Sequence, residues 1–208
     1  TDMLWASAGH EVAFGQKVYP VIRKEAAVDK KPIRVIHGKC NLGVKGEGFE
    51  VLFSYNSRGL VSYRYEGQEM LEKIPMPNFW RAPLDNDCGN RMQGRMAQWK
   101  IASLYAGIGS DGMFNYADPV VQESEQAVAI TYNYDLPTTP KSSCSVTYKV
   151  TGDGSVETTL RYEPVVELGD MPEFGMMFKM NADYDRLEWY GLGPEETYAD
   201  RKHGAKLG

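Results

Sequence analysis

Runs in which every second residue is apolar dominate this chain, a pattern that fits half-buried strands and fits no helix. In Phe49-Glu-Val-Leu-Phe-Ser-Tyr55, the side chains of Phe49, Val51, Phe53 and Tyr55 share one face. The polar turn Asn56-Ser57-Arg58-Gly59 follows, then a second run from Leu60 to Tyr65. These predict a hairpin, with Gly59 supplying the backbone freedom of a tight reversal. Val128 to Tyr134 alternates in the same way and stops before Pro137 and Pro140. Val146, Tyr148 and Val150 then lead to the turn Gly152-Asp153-Gly154, and Val156, Thr158, Leu160 and Tyr162 return. Two further strands are predicted, Phe174 to Met180 (Phe174, Met176, Phe178 and Met180 on one face) and Leu187 to Tyr190.

Helix signals are sparse. Met92, Met96 and Trp99 recur at helical spacing, so residues 91 to 102 are expected to form one short amphipathic helix whose stripe packs in a core. Many strands joined by short polar turns give an all-β fold, a large sandwich rather than an α/β enzyme. Gly191-Leu-Gly193 opens like a dinucleotide fingerprint, but Pro194 follows and Glu196 replaces the third glycine. Residues 11 to 22 form one extended run, and Lys24 to Pro32 is charged and poor in apolar residues, as a linker is. The boundary is therefore set at residue 30. Residues 1–30 are read as the end of a preceding domain plus linker, and 31–208 as the main domain.

Composition excludes several functions. The 208 residues carry 23 Lys and Arg against 28 Asp and Glu, a net charge of -5, with no dense basic cluster for nucleic acid. No stretch approaches the roughly 20 apolar residues of a membrane span. Cys40, Cys88 and Cys144 are odd in number and far apart, which suggests free thiols in a reducing, cytoplasmic compartment. His10, His37 and His203 form no local metal motif, leaving only a site assembled from distant segments. A nucleophile elbow is absent, and the many acids offer no means of choosing a catalytic pair.

Two polar segments interrupt the strands. In the first, residues 78–90, Arg81 stands close to Asp85, Asn86 and Asp87 between Pro83 and Gly89. Such a loop braces itself through an arginine–carboxylate fork and Asx turns. Its alternative use is a polar rim for sugar hydroxyls, with Trp80 or Phe79 as a stacking surface. A calcium loop is disfavoured, since its closing acid would fall at Met96. In the second segment, residues 189–201, Pro194 and the acids Glu195 and Glu196 suit the start of a short helix. The alternative is a carboxylate and an arginine, Glu195 and Arg201, presented at a rim.

Both segments resemble known signatures. Phe79-Trp-Arg-Ala-Pro-Leu-Asp-Asn-Asp87 and Tyr190-Gly-Leu-Gly-Pro-Glu-Glu-Thr-Tyr-Ala-Asp-Arg201 are similar to motifs of the small-chain, fifth domain of large β-galactosidases of glycoside hydrolase family 2. Trp5-Ala-Ser-Ala-Gly-His10-Glu-Val-Ala resembles the end of the immunoglobulin-like domain that precedes it there. The resemblance implies a β-supersandwich of the galactose-mutarotase-like type, incomplete at its C-terminus because the family's domain normally continues past the second motif. It implies a parent that hydrolyses terminal β-galactosides with retention, through glutamates of an upstream barrel. It implies Mg²⁺ and Na⁺ held by other domains, and those domains and a galactoside as partners. The sugar-site tryptophan of well-known members lies beyond the second motif, so no catalytic residue is assigned here. The substrate-rim candidates are Trp80, Arg81, Asp85, Asn86, Asp87, Glu195 and Arg201. A sheet ended early leaves edges open, so self-association into a homo-oligomer is expected. A separate carbohydrate-binding module and an aldose epimerase are the alternatives, told apart by lactose calorimetry and by optical rotation.

Overall fold

A computed structural model describes residues 3–21, 31–108, 112–113, 117–194, 197–198 and 201–208. The chain forms two compact units, one of Thr1–Ala26 with Tyr184–Gly208 and one of Ala27–Asp183.

The larger unit is an all-β sandwich. Strands β1 (Arg34–His37), β2 (Asn41–Gly46), β3 (Phe49–Ser54), β4 (Gly59–Tyr65) and β5 (Gln68–Glu69) form an antiparallel meander in chain order. Strand β6 (Lys73–Asn78) leaves that sheet, and three short helices follow: α1 (Asp85–Gly89), α2 (Met92–Arg95) and α3 (Ala97–Leu104). Strands β7 (Val120–Glu123), β8 (Ala127–Leu136), β9 (Ser142–Thr151) and β10 (Val156–Tyr162) make a second antiparallel sheet. Strand β11 (Gly175–Lys179) pairs back onto β6. The smaller unit contains one short pair, β12 (Leu192–Gly193) with β13 (Lys206–Leu207).

Alternation sets which faces meet. Leu42 and Val44 on β2, Phe49, Val51 and Phe53 on β3, and Val128 to Leu136 at every second position of β8 are all buried. They form one apolar cluster with Val146, Tyr148 and Val150 of β9. Tyrosines pin the sheets together: the Phe53 and Tyr148 rings lie 5.6 Å apart, and the Tyr132 hydroxyl donates to the Ser54 carbonyl at 3.2 Å. The Tyr134 hydroxyl donates to the Arg58 carbonyl, and Tyr148 to that of Pro75 at 3.3 Å. Each ring is thus buried while its polar tip keeps an acceptor, which avoids the cost of an orphaned hydroxyl. At the margins, His37 on edge strand β1 contacts Glu123 on edge strand β7 at 2.6 Å, clasping the two sheets.

Several local expectations need correction. Both predicted hairpins form, but in the first it is Arg58 that takes the left-handed conformation, with φ 55°. Gly59 serves a close approach instead, since a Cβ there would sit 2.9 Å from Ile74 Cγ2. In the second hairpin Gly154 does take positive φ, 86°. The helix expected over 91–102 is two pieces, because Met96 leaves helical geometry at φ −112°, ψ 15°. Its stripe is core, as expected: Met92 and Trp99 are buried and Met96 packs beside them. Strand β11 falls within the expected Phe174–Met180, but Phe174 lies ahead of the strand and is exposed, and a register shift after Met177 breaks the single face, leaving Phe178 exposed as well. Leu187–Tyr190 is no strand, and Leu187 and Tyr190 are among the most exposed large apolar residues. The described part of the 11–22 run joins no ladder. Side chains hold it instead: Gln16 exchanges two hydrogen bonds with the Leu207 backbone, at 2.5 and 2.8 Å, and Glu11 pairs with Lys206.

Candidate functional site

The first polar segment is built around a fork. Arg81 Nη1 and Nη2 donate to Asp87 Oδ2 and Oδ1 at 2.5 and 3.1 Å. The Leu84 backbone N–H also donates to Asp87 Oδ2, at 2.8 Å. That last bond explains a local surprise, because the stretch expected to be loop contains α1. Asp-Asn-Asp-Cys-Gly is a poor helix former, yet Asp87 at the third position captures an orphan amide of the first turn. The hydrogen bond from Arg81, then that from Leu84, holds the Asp87 carboxyl below its ordinary 3.8.

The fork is anchored from far along the chain. Arg81 Nε donates to the Pro172 carbonyl at 3.2 Å, and Trp99 Nε1 donates to the Asp170 carbonyl at 2.9 Å. The Phe79 N–H donates to Ser103 Oγ at 2.8 Å, and that hydroxyl donates to the Trp99 carbonyl at 2.9 Å. Phe79 is fully buried, 5.8 Å from the Trp99 ring, so it offers no stacking surface. Trp80 is half-buried and lines a groove beside β6 and α3. Asp85 and Asn86 are exposed at the start of α1. The structure therefore brings Arg81 and Asp87 together and leaves Asp85 and Asn86 facing solvent. Ser103 and the carbonyls of Asp170 and Pro172 complete the bracket, and no sequence pattern near Arg81 marks them.

A depressed carboxyl gives a pH prediction. Because the folded pKa of Asp87 lies below the unfolded one, its contribution is present above pH 3.8 and is lost as pH falls through the folded value. Asp87→Asn is expected to melt below the parent protein at neutral pH. The two melting temperatures should converge well below pH 3.8. A gap that stays constant with pH would show that the charge of Asp87 is irrelevant.

The second motif lies in the smaller unit. An open cavity of about 490 Å³ is lined by Leu187, Glu188, Trp189, Gly191, Gly193 and Pro194 among others. The Trp189 ring covers Gly193, where an added Cβ would lie 3.4 Å from the indole nitrogen. Glu188 is paired with Arg186. An exposed indole beside a carboxylate is chemistry that suits a sugar ring and its hydroxyls. The Arg201 N–H donates to the Tyr198 carbonyl at 2.8 Å, and its side chain is exposed. Glu195 lies outside the described residues. Among the described residues, no group of three or more His, Cys, Asp or Glu side chains is placed to hold a metal ion. No helix among them is long and apolar enough to cross a membrane.

The fold and its two motif-bearing segments define a non-barrel, all-β module. Residues 45–208 match the model for the beta galactosidase small chain. The chain belongs to that family. It is 40% identical over 209 residues to a beta-galactosidase of Clostridium acetobutylicum, covering 99% of this chain and 22% of that protein. It is 41% identical over 211 residues to one of Halalkalibacterium halodurans, covering 99% of this chain and 20% of the relative. It is 34% identical over 191 residues to a beta-galactosidase small subunit of Latilactobacillus sakei, covering 86% of this chain and 59% of the subunit. The chain thus spans about a fifth of the longer relatives.

Proposed function

We propose that this chain is the small-chain part of a glycoside hydrolase family 2 β-galactosidase that hydrolyses terminal β-galactosides with retention. It supplies no catalytic group, shapes the sugar cleft and supports the barrel that holds the two catalytic glutamates. The observation that carries this reading is the match to beta-galactosidases along 99% of the chain. Residues 1–30 are read as the end of an immunoglobulin-like domain and its linker, ahead of a galactose-mutarotase-like supersandwich. The parent works in a reducing, cytoplasmic compartment. The parent's Mg²⁺ and Na⁺ are read as held by its other domains. Of the rim candidates, Trp80 offers an indole to a neighbour, while Arg81 and Asp87 act as a bracket that fixes the segment's shape. Asp85, Asn86 and Arg201 are exposed, and Asp85 and Asn86 at the start of α1 are read as meeting hydroxyls.

The test is complementation. The Clostridium acetobutylicum relative, deleted of its matching segment, is expected to lose hydrolysis of a nitrophenyl β-galactoside and to regain part of it when this chain is added. The chain alone is expected to give no turnover. Full activity of the deleted enzyme, or hydrolysis by the isolated chain, would overturn the reading.

A further inference from the structure

Apart from Trp80, the groove between β6 and α3 has chemistry that neither the sugar reading nor the family assignment uses. It holds about 360 Å³, walled by Ile74 and Met76 of β6, Trp80, Leu104 of α3 and Met177 of β11. Among the described residues, its only charged lining residues are Lys73 and Lys100, both exposed. Among the described residues, neither lysine forms an ion pair. Lys31, Lys45, Lys149, Lys179 and Lys206 each face a carboxylate. Even the neighbouring acid Glu72 is engaged elsewhere, with Lys179 at 2.7 Å. In a chain of net charge -5, two unpaired cations on an apolar groove are a local excess of positive potential.

The apolar surface runs past the groove. Leu104 is 64% exposed, and Ile101, 43% exposed, lies three residues earlier on the same face of α3. Met177 is 59% exposed on the far wall. A small ligand would fill the cavity and leave this margin wet, whereas a polypeptide covers both. Thioether and indole walls adapt to side chains of varied shape. A membrane surface is disfavoured, because lipid recognition uses clusters of roughly four to eight basic residues and a concave apolar slot adds nothing to it.

We propose that this groove docks an acidic, apolar segment of another polypeptide, whose apolar side chains enter between Met76, Trp80 and Met177 while its carboxylates meet Lys73 and Lys100. The inference does not depend on the β-galactosidase reading, since it rests on the groove's walls and charge alone.

The experiment uses the full chain with its methionine methyls ¹³C-labelled, titrated with a short peptide alternating leucine and glutamate. Signals of Met76 and Met177 are expected to shift, with the remaining methionines still. A matched peptide alternating leucine and lysine is expected to bind at least about tenfold more weakly, the size of a few exposed charge pairs turned from attraction to repulsion. In the K73E/K100E double variant the preference should invert, so the lysine peptide binds better. That inversion also shows that the variant is folded. Equal binding of both peptides, an unchanged preference in the variant, or no shift at Met76 and Met177 would overturn the proposal. So would the same two methyls responding to lactose, or to phosphatidylserine vesicles and not to peptide.

Discussion

Raising the pH above 10 is expected to unfold this chain steeply and cooperatively, and the cause lies between its two sheets. Burial pushes the Tyr132, Tyr134 and Tyr148 hydroxyls well above their ordinary 10.0, the neighbouring tyrosines adding to the effect on Tyr132 and Tyr134. Burial likewise pushes the Cys144 thiol from 9.0 up to about 12. All these groups are neutral when protonated, so a raised folded pKa means the native state keeps protons that the unfolded state releases. Their contribution is fully present below pH 9 and falls as pH rises through the window between the unfolded and folded values. Once the difference is a full proton at each of Tyr132, Tyr134, Tyr148 and Cys144, stability drops by about 5 kcal/mol per pH unit. Against a typical stability of roughly 5–15 kcal/mol, that brings unfolding within a few pH units. Phenolate absorbance and circular dichroism should therefore change together for these rings. Complete tyrosine ionisation with far-ultraviolet signal intact would refute the account.

Those buried tyrosines also show why the sheets were legible in the sequence and the candidate site was not. Tyr132 and Tyr134 stand at alternate positions of an apolar run, and alternation alone assigns them to the inner face. The same logic placed Phe49, Val51 and Phe53. It failed at Leu187–Tyr190, where apolar residues are exposed and no partner strand fixes the pleat, and at Phe174–Met180, where a bulge that leaves no compositional trace turns Phe178 outward. Helix α1 was hidden for a different reason. Its residues have low helix propensity, and what stabilises it is a carboxylate on a backbone amide, aligned by Arg81. Arg81 reaches in turn to a carbonyl 91 residues away. The pairing of Arg81 with Asp87 was visible as a short-range possibility; the anchors that make it rigid are tertiary, and no local pattern encodes them.

Trp99→Ala is expected to be the most damaging single truncation in the larger unit, because one side chain serves both the core and the bracket. Trp99 is 1% exposed, with its ring 5.8 Å from those of Phe79 and Tyr162. Removing a buried tryptophan costs about 3–5 kcal/mol through lost transfer energy and the cavity left behind. The indole N–H also holds the Asp170 carbonyl, two residues from the Pro172 carbonyl that Arg81 grips. Losing that hold frees the segment on which the fork is aligned. Trp99→Phe separates the two effects: it keeps most of the ring packing and drops the hydrogen bond, whose net worth is about 1 kcal/mol. Urea unfolding should rank the proteins parent, Trp99→Phe, Trp99→Ala, with the larger gap at the second step. Amide exchange at Phe79, whose N–H is held by Ser103 on the same helix, should quicken in Trp99→Ala ahead of global unfolding. If Trp99→Ala loses less than about 1 kcal/mol, the helix is a passive cover on the sandwich. The 78–90 segment must then owe its shape to the Arg81–Asp87 fork alone.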